Sequence, residues 1–352
     1  KYLWIKIMAY SSIAKPTDHF NTVLHTGNGG TQSITGVGFQ PDWVWIKRRN
    51  GSESHALFDV IRAVTKQLAS NSGDAEETVA TSLTSFDSDG FSLGSYSRVN
   101  ASSDTYASWN WKAGGSASSN SDGSITSTVS ANTTAGFSIV SYTGTGSVAT
   151  VGHGLGAVPK MIFFKDRETS VDWGVYAEPI GNTKEMYLST TDAAATNSGA
   201  FNNTTPTSSV FTIGTSSRYN PSSKGVIAYC FADVKGYLKI GSYKGNQNND
   251  GTFIYTGFKP AFFIGKEIIS SNWYVKDNKR LASFNPANGH LYPNRDNVEE
   301  DYADFDFLSN GIKIRHNGTD VNESGVTYIY LAFAENPFVG NDSGTAVPVT
   351  AR

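Results

Sequence analysis

Three segments of this 352-residue chain align with one another. A repeat of about a hundred residues constrains the fold more than any single motif can, because each copy must be one supersecondary unit. Each copy opens with a short alternating stretch and a turn: Phe20-Asn-Thr-Val-Leu-His-Thr-Gly27, Phe137-Ser-Ile-Val-Ser-Tyr-Thr-Gly144 and Leu238-Lys-Ile-Gly-Ser-Tyr-Lys-Gly245. Next come Gly38-Phe-Gln-Pro41, Gly156-Ala-Val-Pro159 and Gly257-Phe-Lys-Pro260. An apolar run follows each proline and ends in lysine at the sixth position, giving Lys47, Lys165 and Lys266. Further on, Phe91-Ser-Leu-Gly94, Phe211-Thr-Ile-Gly214 and Ile312-Lys-Ile314 correspond, and Asn100, Asn220 and Asn322 lead into a last stretch.

That last stretch identifies the unit as β. Ala107, Trp109 and Trp111 match Ile227, Tyr229 and Phe231, then Ile329, Leu331 and Phe333. Alternate residues are apolar in all three, the period of a strand with one face in a core. Cys230 falls on the opposite face, where the other copies have Asn110 and Ala332, and reads as a small packed residue. The post-proline runs Trp43-Val-Trp-Ile46, Met161-Ile-Phe-Phe164 and Ala261-Phe-Phe-Ile264 are apolar on both faces. Such strands lie inside a sandwich or against a neighbouring module, with proline at the first position because it cannot donate to the ladder. Asp89-Gly90 and Asn310-Gly311 read as hairpin turns. Asp59 to Leu68 is the only helical candidate, a short turn or loop helix at most. The expected fold is all-β, with three tandem diverged β-sandwich modules.

The boundaries follow from the repeat: an N-terminal arm over 1–18, modules over 19–115, 136–236 and 237–338, and a polar tail over 339–352. Residues 116–135, rich in Ser, Thr and Gly, form a linker or a surface ribbon. Met8-Ala9-Tyr10 reads like a translation start, with the seven residues before it an upstream extension; export by a signal sequence is not supported.

Charged residues make up only 17% of the chain and the net charge is −3, so nothing favours nucleic acid or an anionic membrane. No apolar run approaches a membrane span. A single cysteine rules out an intrachain disulfide framework. The six histidines show no metal-ligand spacing, and the chain lacks a nucleophile elbow, a Walker loop and a dinucleotide fingerprint. No catalytic residue, metal or cofactor is therefore assigned. A glycosidase needs two facing carboxylates; Glu76-Glu77, Glu178 and Glu299-Glu300-Asp301 are available, but a sequence does not place them opposite one another. Asp87-Ser-Asp-Gly90 has two carboxylates in calcium-loop order without the remaining ligands, and reads as a turn.

Two recurring features have a functional and a plain reading. The lysines after proline are either a functional set or solvated strand ends whose stems cover apolar surface, and the second is favoured. Trp173 with Tyr176, and Trp273 with Tyr274 and Asp277, correspond to His55 and Asp59 in the first copy. Aromatics beside carboxylates suit a glycan-binding surface; core packing is the favoured alternative.

Met8-Ala-Tyr-Ser-Ser-Ile13, Asn28-Gly-Gly-Thr-Gln-Ser-Ile-Thr-Gly-Val-Gly-Phe-Gln-Pro41, Thr84-Ser-Phe-Asp-Ser-Asp-Gly-Phe91 and Trp111-Lys-Ala-Gly-Gly115 resemble a family of tailed-bacteriophage virion proteins common in marine phages. So do Thr134-Ala-Gly-Phe-Ser-Ile139 and Val151-Gly-His-Gly-Leu-Gly156. The resemblance implies a virion location, a jelly-roll or concanavalin-like sandwich, and no established catalytic residues. The leading expectation is a non-enzymatic tail fibre or receptor-binding protein contacting host surface glycans. The alternative is a head fibre, capsid-decorating or other assembly protein that binds only virion proteins; a polysaccharide depolymerase is the third. Because Trp43, Val44, Trp45 and Ile46 give an isolated module more apolar surface than its own core covers, a homotrimer is expected. The arm, with Tyr10, Ile13 and Pro16, is expected to dock on a larger virion component. Nucleic acid binding and membrane insertion are not expected.

Overall fold

The computed structural model describes residues 11–280, 285–337, 339–340 and 347–348, and the chain is all-β. One antiparallel arrangement of an opening, a closing, a post-proline and a fourth strand occurs three times. In the first copy the strands, side by side, are Phe20–Thr26, Thr105–Trp111, Trp43–Arg48 and Ala56–Asp59. In the second they are Phe137–Thr143, Gly225–Phe231, Met161–Asp166 and Gly174–Ala177. The third has Leu238–Lys244, Thr327–Pro337, Phe258–Glu267 and Tyr274–Asp277. A smaller sheet covers one face of each. Its strands are Gln32–Ile34, Gly90–Leu93 and Leu83–Asp87 in the first copy, and Ala149–Gly152 with Val210–Ile213 in the second. In the third they are Phe253–Tyr255, Gly311–Ile314, Glu300–Leu308 and Ala287–His290.

The alternation along the strands divides their residues between two kinds of core. One set of side chains faces the copy's own small sheet: Val44, Ile46, Phe58 and Tyr106 in the first copy, and Ile162, Phe164, Tyr176 and Cys230 in the second. The other set meets in one shared centre, where Trp43, Trp45, Trp109, Trp111, Phe163, Tyr229, Phe231, Phe262, Ile264 and Phe333 form a continuous cluster. Trp111, Phe231 and Phe333 hold the same register in their sheets. Their rings meet at the middle, with Trp111 and Phe231 each placing a centroid about 6 Å from that of Phe333. Fully burying side chains of this size stabilises by about 1.5–3 kcal/mol each. The apolar face behind the homotrimer expectation is therefore covered by the other two copies of the same chain.

Other local expectations change in instructive ways. The 116–135 tract is a ribbon: Ser118–Asn120 pairs with Ser127–Asn132, which pairs in turn with Phe137–Thr143 and widens the second sheet. Ser127, Val129 and Ser130 are buried and Thr128 is exposed, with Ser118–Asn120 forming the sheet's edge, a pattern of paired strands rather than of a free linker. No helix forms over 59–68. The Asp59 carboxylate accepts from Ile61 N and Arg62 N, and Ala63 and Thr65 take positive φ, so the segment is a tight turn. Both hairpins are present, with Asp87 opposite Gly90 and Leu308 opposite Gly311. Gly90 has φ +152°, and a Cβ there would lie 1.9 Å from Ile34 O. In the described part of the arm, Ile13 and Pro16 are buried against the body, so they are covered by their own chain; Tyr10 lies outside the described residues.

The repeated asparagines tie each closing strand to the turn after its opening strand. Asn220 is fully buried; its Nδ2 donates to Ser147 O and Gly214 O, and its Oδ1 accepts from Thr145 N and Gly146 N. Asn100 and Asn322 make matching bonds in their copies. Asn220→Ala strands several buried backbone groups, and is expected to destabilise the protein by about 1–3 kcal/mol. A urea midpoint indistinguishable from that of the parent would show that these turns hold themselves.

Candidate functional site

All seven residues singled out for glycan contact (His55, Asp59, Trp173, Tyr176, Trp273, Tyr274 and Asp277) are buried, none more than 2% exposed. Tyr176 and Tyr274 pack inside their own sandwiches: Tyr176 meets Phe201 edge-on, and the Tyr274 hydroxyl lies 2.7 Å from that of Tyr243. The other five lie where one copy meets the next. Trp173 Nε1 donates to Ala69 O at 2.8 Å, Trp273 Nε1 to Tyr187 O at 2.7 Å, and His55 Nε2 reaches Tyr292 O at 2.9 Å. Three equivalent positions thus bind a backbone carbonyl of the neighbouring copy, in a closed cycle.

The lysines follow the same cycle and are not solvated strand ends. Lys47 Nζ donates to Asp296 O, Lys165 Nζ to Gly73 O and Lys266 Nζ to Thr191 O, each across a joint. All three are at most 1% exposed. Their stems run along apolar surface, but each ammonium ends on carbonyls brought by another copy, which a local pattern does not reveal. Burial draws each of them down to about 8. Backbone bonds repeat too: Glu299 N to Arg49 O, Glu76 N to Arg167 O, and Ala194 N to Ile268 O. Arg49 pairs with Glu299 and Arg167 with Glu76, whereas the third joint has Ile268 and Ala194 in the corresponding places.

Two joints contain buried ionic clusters. Arg62 is held by Asp59, Glu76 and Leu57 O, and Asp59 also accepts from the Tyr229 hydroxyl of the second copy at 2.6 Å. Arg280 is held by Asp277, Glu299 and Val275 O, and Asp277 accepts from Trp109 Nε1 of the first copy at 2.8 Å. At the matching places the remaining joint has Ala177 and Ile180, with Leu331 where Tyr229 and Trp109 stand. The shared spacing Asp59-x-x-Arg62 and Asp277-x-x-Arg280 was the signal in the sequence for these clusters.

Hydrogen bonding fixes two histidines as neutral. His55 Nδ1 accepts from Trp45 Nε1 at 2.7 Å, so its proton sits on Nε2; His153 Nδ1 accepts from Leu155 N, and its Nε2 faces Thr207 O. Burial lowers both, His55 well below its ordinary value. A base with a depressed folded-state pKa refuses a proton that the unfolded chain accepts. Stability is therefore complete above the unfolded value of 6.5 and falls as pH drops below it. The expected slope is about 1.4 kcal/mol per pH unit for each such histidine. Denaturant titrations at several pH values between neutrality and mild acid check this, and a flat profile would contradict it.

A cleft of about 320 Å³ opens between the first and third copies, lined by Leu24, Arg49, Lys279, Arg280, Asn288, Gly289, Glu299, Glu300 and Asp301. Its three carboxylates are consecutive in the chain, with Arg49, Lys279 and Arg280 as the cations of the lining. Burial pushes Glu299 up, but hydrogen bonds and charge from Arg49 and Arg280 outweigh it and hold the carboxyl below its usual range. Glu300 is likewise lowered, with Asn297 and Tyr292 bonding its oxygens against the effect of burial. General-acid chemistry calls for a raised carboxyl, and neither residue supplies one. Among the described residues, no group of three or more His, Cys, Asp or Glu side chains is placed to hold a metal ion. Cys230 is buried, opposite Ser138 in the sheet, and burial pushes its thiol up.

Comparison with curated proteins and with solved structures finds no match. One family model, described as Domain of unknown function (DUF7483), matches residues 15–337.

Proposed function

The chain belongs to the DUF7483 family over residues 15–337, and from that premise we infer that it is a non-enzymatic structural protein of a bacteriophage particle, a rigid block that binds neighbouring particle proteins. The phage setting rests on the sequence resemblance. One observation carries the rest: the aromatic, histidine and charged residues that recur between copies are committed to joints inside the chain. A tail fibre gripping host glycans calls for exposed aromatic platforms, and the seven residues put forward for that role are buried. The assembly reading is therefore the better supported of the two. A depolymerase calls for an opposed carboxylate pair, whereas the carboxylates of the cleft between the first and third copies are neighbours in sequence, and Glu299 and Glu300 are held as anions.

Such a block gains its rigidity from the shared core and from the hydrogen bonds across its joints rather than from disulfides. The test has two arms. A density map of phage particles is expected to place the subunit in a fixed protein environment, touching other virion proteins. Binding of the purified chain to an array of bacterial surface glycans is expected to be absent. Tight glycan binding would restore the receptor-binding reading, and absence of the protein from purified particles would refute a virion role.

A further inference from the structure

The third sandwich carries a lysine where its two sister copies carry an aromatic. Lys276 pairs in register with Phe263, as Phe58 does with Val44 and Tyr176 with Ile162. Phe58 and Tyr176 fill the interiors of their sandwiches. Lys276 is 0% exposed in the same slot. A buried ammonium in a core position carries a desolvation penalty that an aromatic avoids, so the substitution calls for a reason.

Its surroundings supply one. Across the sandwich, on Glu300–Leu308, Asp304 places Oδ2 3.1 Å from Lys276 Nζ, and its side chain is 4% exposed. Nζ also donates to Tyr302 O at 2.6 Å and lies 5.9 Å from the centre of the Phe305 ring. His290, 2% exposed, sets Nδ1 3.5 Å from the same Asp304 oxygen, and neither of its ring nitrogens has a hydrogen-bond partner. A desolvated amine, a carboxyl in contact with it and an imidazole beside the same carboxyl oxygen make up a setting for acyl transfer to nitrogen.

We propose that Lys276 and Asp304 condense to an isopeptide bond that staples the two sheets of the third sandwich. Proton transfer from ammonium to carboxylate first exchanges two buried charges for a neutral pair. Nζ then attacks Cγ of Asp304, and the Nζ–Cγ bond forms as one Cγ–O bond breaks. The departing oxygen, already carrying the carboxyl proton, takes a second proton directly from the attacking amine beside it and leaves as water. Amine and acid give amide and water, with no oxidant or co-reactant. Burial draws the lysine down to about 8, against the pull of Asp304; burial also pushes Asp304 up, but His290 and Lys276 outweigh it and hold the carboxyl below its ordinary value, so the first proton transfer runs uphill and sets the pace of the condensation. His290, beside the carboxyl oxygen, is a positioning group; it forms no bond to either partner.

The intact mass of the purified full-length chain decides the matter. The expected value is one water below the mass calculated for the same polypeptide, with a branched peptide joining the segments around residues 276 and 304 after digestion. Lys276→Arg keeps the charge and lacks the nucleophile; its mass is expected to return to the calculated value, with an unchanged β circular dichroism spectrum showing that it folds. A parent chain at its full calculated mass overturns the proposal. So does a missing water that maps to other residues or persists in Lys276→Arg.

Discussion

Trp111→Ala is expected to lower the stability of the whole protein by about 3–5 kcal/mol, the range for removing a large buried aromatic. Trp111 is 2% exposed and packs across the joint between two copies: its ring stacks on Trp43 at 4.2 Å, packs near Phe20, and meets Phe262 and Phe333 of the third copy edge-on. The slot lies in the shared centre, not in the interior of the first sandwich, so the loss is not confined to one module. Guanidinium unfolding followed by tryptophan fluorescence and by circular dichroism should show one transition moving as a unit. A shift confined to part of the amplitude would show that the sandwiches unfold independently.

Asp59→Ala is expected to destabilise by a similar amount, about 3–5 kcal/mol, because breaking a buried pair leaves a charge without its counterpart. Arg62 keeps Glu76 but loses its closest partner, and the Tyr229 hydroxyl loses its acceptor. The joint between the second and third copies offers an apolar solution to the same geometry in Ala177, Ile180 and Leu331. The triple variant Asp59→Ala, Arg62→Ile, Tyr229→Leu should therefore recover most of what the single change loses, as replacement of whole buried ionic sets by packed apolar groups commonly does. Urea midpoints of the single and triple variants measure this, and a triple variant no better than the single one would mean that the polar cluster is irreplaceable at this joint.

What could be read from the sequence was what is local. Period-two alternation marked the closing strands, and Asp89-Gly90 and Asn310-Gly311 marked hairpins, because turn chemistry and strand period act over a few residues. The two-faced apolarity of Trp43 to Ile46 was also legible, but the identity of what covers the second face was not. A ring of separate chains and three copies within one chain leave the same trace in a single strand. The lysines show the same limit: Lys47 and Asp296 are far apart in sequence, and only closure of the cycle brings the acceptor to the ammonium. His55, Trp173 and Trp273 were visible as a recurring set, yet an aromatic beside a carboxylate has the same composition in a joint as in a binding surface. Lys276 was legible as a departure from Phe58 and Tyr176, although not as the partner of Asp304, which lies on the opposite sheet.

The three unlike joints also set a rule for pairing. A ring of identical subunits must build every contact from the same two surfaces, so each subunit accepts any other. Here Tyr229 is matched to Asp59, Trp109 to Asp277, and the remaining site is apolar. Setting Leu331 against Asp59 and Arg62 would leave buried groups without partners, and setting Tyr229 against Ala177 would bury a hydroxyl with no acceptor there, each a penalty of the kind that rejects wrong partners. Each copy therefore carries an address for one neighbour. That address favours closure within a single chain in a fixed order, and it discourages exchange of copies between chains while many of them fold side by side.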